Sequence, residues 1–116
     1  MTFDDRTPDE LVGDAVTARP LRRYADPDYV KAQSVEQRKA DAWRVMRAAA
    51  DRPDEFHTLD VWGTLAGLRT SPHRRASDMR AAGMLVPVEM AKTLSGANAM
   101  GYACHPDLIA RFRTEQ

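Results

Sequence analysis

The sequence predicts a mainly α fold closed by one small β-hairpin, an α+β class, and three observations over residues 58–102 carry that expectation. First, Leu59, Trp62 and Leu65 recur at helical spacing behind Thr58, a good N-cap residue, and Gly67 then ends that helix in a left-handed turn. Second, Ser71 caps another helix over 72–82, and Pro72 suits its first position because the missing N–H would have no intrahelical partner there. That helix stops at Gly83. Third, residues 85–90 and 99–104 are β-prone runs flanking the polar stretch 93–98, a hairpin-tip composition. Helix, turn, basic helix and hairpin, in this order, predict a winged helix-turn-helix with extra N-terminal and C-terminal helices.

The remaining elements follow from local signals. Thr7, Pro8 and Glu10 form a capping box with proline at the first helical position, which predicts a short helix ending near Val16. Residues 19–25 read as linker, and Asp26-Pro27 starts another short helix carrying Tyr29 and Val30. Ser34 and Gln37 offer a second capping box before the strongest helix of the chain, 35–50. Along it Ala42, Trp43, Met46, Ala49 and Ala50 form one apolar stripe, while Arg38, Lys39, Asp41, Arg44 and Arg47 are expected in solvent. Arg52-Pro53-Asp54 breaks it, and a last helix from Pro106 presents Leu108, Ile109 and Phe112. The expected organisation is an acidic N-terminal extension with short helices over 1–33, a winged helix-turn-helix over 34–105 and a C-terminal helix over 106–116. One core is expected to join Trp43, Met46, Leu59, Trp62, Leu65, Met79 and Leu85.

Composition narrows the function classes. A chain of 116 residues, 43% hydrophobic, supports one compact core but not two. No apolar run is long enough to span a bilayer, and the start of the chain lacks the basic and apolar regions of an export signal, so a cytoplasmic location is expected. The single cysteine, Cys104, excludes an internal disulfide and fits a reducing cytosol. Cys104 with His57, His73 and His105 has no zinc-site spacing. There is no phosphate loop, no dinucleotide fingerprint and no nameable nucleophile with its base and orienting group. Neither a metal, a cofactor nor an enzymatic activity is expected.

Charge is more informative by position than in total. Lysines and arginines number 17 and acids 17, so the molecule is not a polycation. Yet residues 69–80 hold Arg69, Arg74, Arg75 and Arg80 against Asp78 alone, a local footprint for nucleic acid. Residues 1–17 hold Asp4, Asp5, Asp9, Glu10 and Asp14 against Arg6, which opposes non-specific DNA binding. At ~100° per residue, Ala76, Met79 and Ala82 fall on the face expected to pack on Trp43, Trp62 and Leu65. His73, Arg74, Ser77 and Ala81 fall opposite, with Arg80 and Asp78 flanking them and Arg75 near the buried edge. His73, Arg74, Ser77 and Arg80 are therefore the expected base-facing surface, since arginine reads guanine by a bidentate pair. Arg69, Thr70, Ser71 and Lys92 are the expected phosphate contacts, with Ser95 and Asn98 at the hairpin tip beside them. Arg75 joins the candidates, but Asp78 stands at i,i+3 from it and at i,i+4 from Arg74. A helix-surface ion pair therefore accounts for either arginine, and Arg75 reads as structural before base-reading.

The run from Arg74 through Ser77, Asp78, Met79 and Gly83 to Val86, followed by Thr93-Leu94-Ser95-Gly96, resembles the winged-helix DNA-binding proteins common in actinobacterial phages and prophages. Arg22-Arg23 with Asp26-Pro27 looks like a segment often found upstream in them. The resemblance covers roughly residues 22–105, with Met79 standing where the pattern has leucine. It implies binding to double-stranded DNA by a small transcriptional regulator or phage control protein in a bacterial cytosol, without naming a target. A homodimer is expected, because one small module offers few base contacts, with Leu11, Tyr29, Val30, Leu108, Ile109 and Phe112 as its surface. The alternative is a winged-helix module that binds a host or replication protein through the same helix.

Overall fold

The computed structural model describes residues 3, 6–18, 35–69 and 72–113. Among them run α1 (Pro8–Thr17), α2 (Val35–Ala50), α3 (Leu59–Leu65), α4 (Pro72–Ala81), β1 (Leu85–Lys92), β2 (Asn98–Cys104) and α5 (Pro106–Arg113). The class is α+β, with β1 and β2 forming a two-stranded antiparallel sheet. The expected helix at Asp26, the Ser34 cap, Tyr29, Val30, Thr70 and Ser71 lie outside the described residues. No helix among the described residues is long and apolar enough to cross a membrane.

Local chemistry sets the element ends. At α1 the Thr7 hydroxyl accepts from the Glu10 N–H at 3.1 Å while the Glu10 carboxylate accepts from the Thr7 N–H at 2.9 Å, a complete capping box. Helix α3 closes with Leu68 N–H donating to Gly63 O at 3.0 Å and Gly67 N–H to Thr64 O at 2.9 Å. Helix α4 repeats the pattern, with Met84 N–H to Met79 O at 2.9 Å and Gly83 N–H to Arg80 O at 3.0 Å. Both are Schellman closures, and they require the left-handed φ of Gly67 (85°) and Gly83 (78°). At α5 the cap is a histidine: His105 Nδ1 accepts from the Asp107 N–H at 3.1 Å.

Helix α2 is the hub, packing against α1, α3, α4 and α5. Its alanines 42, 49 and 50 are fully buried and let those neighbours approach closely. Around them one core gathers Val12, Val45, Met46, Trp62, Met79, Met84, Leu85, Leu108 and Phe112. Trp62 is the keystone: its indole N–H donates to Tyr102 O at 2.6 Å and its ring meets His57 edge-on at 4.8 Å. His57 in turn forms an isolated antiparallel bridge to Tyr102 on the outer side of β2.

Several side chains depart from the sequence reading. Leu65, expected in the core, is 40% exposed. The buried side of α3 is Trp62, Gly63 and Ala66, and Leu65 falls just outside that sector. Trp43 is half-buried at the rim, edge-on to Phe112 at 5.0 Å, with its indole N–H donating to Asp9 at 3.3 Å. Asp41, expected in solvent, is buried and accepts from the Gln37 amide at 3.1 Å. Leu11, Leu108 and Phe112, expected to line a dimer surface, are buried in the core. On β2 Cys104 is buried, whereas Met100 is exposed nearer the hairpin tip.

The hairpin register pairs Leu85 with Cys104 at the buried end and Lys92 with Asn98 at the tip, with an irregularity between Pro87 and Met90. Thr93 N–H donates to Ala97 O at 2.8 Å and Gly96, at φ 91°, turns the chain back. The Thr58 hydroxyl, expected to cap α3, instead donates to the Asp60 carboxylate at 2.5 Å and contacts Lys92 O at 3.3 Å. Asp60 also accepts from Val61 N–H at 2.9 Å and, at the hairpin tip, from Leu94 N–H at 3.0 Å. One carboxylate thus fastens the tip to the start of α3.

Partial burial opposes ionisation of Asp60, but the bonds from Thr58, Leu94 and Val61 outweigh it and hold its pKa below the ordinary 3.8. A depressed carboxyl stabilises the fold above its unfolded-state pKa and loses that contribution as pH falls through the folded value. Asp60→Asn is therefore expected to cost about 1–2 kcal/mol at neutral pH. In urea unfolding below pH 3.8 the gap to the parent should shrink as the carboxylate protonates. A gap independent of pH would contradict an ionised clamp.

Candidate nucleic-acid interface

Helix α4 is set against α3 by an unusually close approach. A Cβ built on Gly63 would lie 1.9 Å from Pro72 O and 2.7 Å from Pro72 Cβ, so only glycine admits the first residue of α4 there. The Schellman turn at Gly67 then delivers the chain toward α4. Ala76 and Met79, both fully buried, anchor α4 on the core. Ala82, half-buried, packs against it.

Opposite that anchor, His73, Arg74, Arg80 and Ala81 are exposed and Ser77 is half-buried. Four of the candidate residues therefore share one solvent face. Arg69 is exposed in the α3–α4 connection, while Thr70 and Ser71 beside it fall outside the described residues. Lys92, Ser95 and Asn98 are exposed at the hairpin tip, held against the start of α3, with Ser95 Oγ 3.0 Å from Thr93 Oγ1.

One residue of α4 departs from its expected place. Asp78, expected to flank the solvent face, is buried at 6% exposure. Arg75, a base-contact candidate, lies near the buried edge where the helical spacing puts it: its side chain is 11% exposed and its Nε lies 3.3 Å from Asp78 Oδ2. Helix α4 packs against α2 here, and the charges acting on Arg75 include Arg38 and Asp41 of α2. Burial pulls the Arg75 pKa below its ordinary value, against the opposing pull of Asp78. Arg75 Nε and Nη1 have no hydrogen-bond partner of good geometry, so the contact is an ion pair rather than a fork. Arg75 is a structural residue, and its removal would leave a buried carboxylate without that cation.

Cys104 is buried, and burial pushes its thiol up to about 12, so it stays protonated at neutral pH. The sequence reading did not mark Arg44, Arg47 and Arg52, which the fold gathers along a groove between α2 and α3. The one-turn spacing of Arg44 and Arg47 was the signal for part of that row.

No family model matches the chain, and no curated protein or solved structure matches it.

Proposed function

We propose that the chain is a winged helix-turn-helix DNA-binding protein, a small transcriptional regulator or phage control protein, which lays α4 in the major groove. The observation that carries this reading is the inward turn of Asp78. The one acid of α4 is thereby buried at 6% exposure, while His73, Arg74 and Arg80 are exposed and Ser77 is half-buried beside them. Such a face attracts phosphate and presents arginine to guanine edges. The order α2, the His57 bridge, α3, tight turn, α4, β1 and β2 supports the winged arrangement, with the hairpin as wing. Lys92 at the wing tip is placed for a phosphate.

A second reading, a winged-helix module for protein contact, is favoured by the wing itself. Val88, Met90, Leu94 and Met100 are exposed on it, and Lys92 is its lone cation.

Adjacent arginines separate the roles. Arg74→Ala is expected to weaken DNA binding by about 1–3 kcal/mol, relaxing preference at one base position, with little change in stability. Arg75→Ala should instead lower stability by about 2 kcal/mol, because Asp78 stays buried without its cation. Lys92→Ala should weaken binding to all sequences alike. Binding measured by anisotropy alongside urea unfolding reads all three. Loss of binding in Arg75→Ala at unchanged stability, with Arg74→Ala silent, would reverse the assignment.

A further inference from the structure

The groove between α2 and α3 has about 350 Å³ of free volume and belongs to neither α4 nor the wing. Its floor is apolar: the half-buried ring of Trp43, the buried Ala48 and Ala66, and Leu65 at 40% exposure. Its walls carry Arg44, Arg47 and Arg52 against one acid, Asp51. Among the described residues neither Arg44 nor Arg47 has an ion pair. The Arg52 guanidinium donates from Nη1 to Ala48 O at 3.2 Å.

We propose that this groove docks an acidic peptide segment of a protein partner, one bulky apolar side chain seated on Leu65 and Trp43 and its carboxylates on the arginines. Charge complementarity selects the occupant. Three cations facing one acid favour a negatively charged chain, and arginine forks suit carboxylates. The apolar floor argues against a phosphate backbone, which has nothing to place on Leu65. The groove is broad and open to solvent, which suits an extended chain lying across it better than a small molecule that must be enclosed. No residue of α4 or of the hairpin lines the site, and its reading does not depend on DNA binding.

The test is selection of a randomised displayed peptide library on the full chain. The expected outcome is enrichment of sequences with acids around one large apolar residue. A synthesised winner should bind about tenfold or more weaker to Arg44→Glu/Arg47→Glu and to Leu65→Asp, each with unchanged thermal unfolding. Should the double charge reversal unfold the protein, Arg44→Gln/Arg47→Gln is to show the same direction of loss. The proposal is overturned by no enrichment, by winners without acidic bias, or by binding that survives these variants. It is equally overturned if the arginine variants weaken DNA binding and leave peptide binding intact, which would make the groove part of the nucleic-acid contact.

Discussion

Trp62→Ala is expected to lower stability by about 3–5 kcal/mol, enough to unfold much of the population in a domain this small. The side chain is the largest fully buried one among the described residues. It joins three pieces of the fold: its own helix α3, the His57 segment by an edge-on ring contact, and β2 by the bond to Tyr102 O. Deleting it opens a cavity where no neighbour is free to collapse, because α2, α3 and the sheet are each tied by their own backbone bonds. Trp62→Phe keeps most of the volume but loses the donor. Tyr102 O still accepts from His57 N–H at 3.0 Å, so that substitution should cost only about 1 kcal/mol beyond the small volume change. Trp43→Ala should cost less than Trp62→Ala, since Trp43 sits at the rim. Urea unfolding of the three variants checks the order, and equal losses for Trp43 and Trp62 would contradict it.

The second large effect is a sign reversal between two mid-helix glycines. Gly63→Ala is expected to cost about 3 kcal/mol, because the added Cβ meets the Pro72 carbonyl, backbone that cannot rotate away. Helices α3 and α4 would have to separate, so DNA binding should fall with stability. Gly13→Ala should instead stabilise by roughly 0.5–1 kcal/mol, the ordinary gain of alanine over glycine in a helix. There the new Cβ would lie 3.5 Å from the flexible Lys39 side chain, normal contact distance. Stabilisation by both substitutions would mean that α3 and α4 are not in the close contact described.

The sequence showed the parts of this fold that are decided over a few residues. The capping box at Thr7 and the glycine closures at Gly67 and Gly83 are local hydrogen-bond patterns, and they stand where the residue types place them. What it did not show depends on how helices lie against each other. A wheel drawn on α4 puts Asp78 beside the solvent face, but α4 packs against α2 and Asp78 is buried. Leu65 has core spacing relative to Leu59 and Trp62, yet the rotation of α3 is fixed by the Gly63 contact with Pro72, which leaves Leu65 on the groove rim. The same holds for Leu108 and Phe112, apolar residues on a terminal helix that fill the core of their own molecule. Side-chain choices were equally hidden: the Thr58 hydroxyl takes a carboxylate instead of a helix N–H, and His105 supplies a cap that its residue type does not advertise. Of the interface, the exposed His73, Arg74 and Arg80, with the half-buried Ser77 beside them, were legible because they follow from one helix and its polarity. The row of Arg44, Arg47 and Arg52 was not, since its meaning depends on α3 lying beside it.

The central claim is that the face of α4 binds DNA, and one titration tests it most directly. Binding of the full chain to duplex DNA is followed by anisotropy over a series of salt concentrations, beside the variant carrying Arg74→Ala, Arg80→Ala and Lys92→Ala. The expected result is a linear fall of log K with log salt for the parent. In the triple variant binding should be weaker throughout and the slope shallower by about one, for the phosphate contact of Lys92. Tight, salt-dependent binding that persists unchanged in the triple variant, or no DNA binding by the parent at low salt, would contradict the assignment.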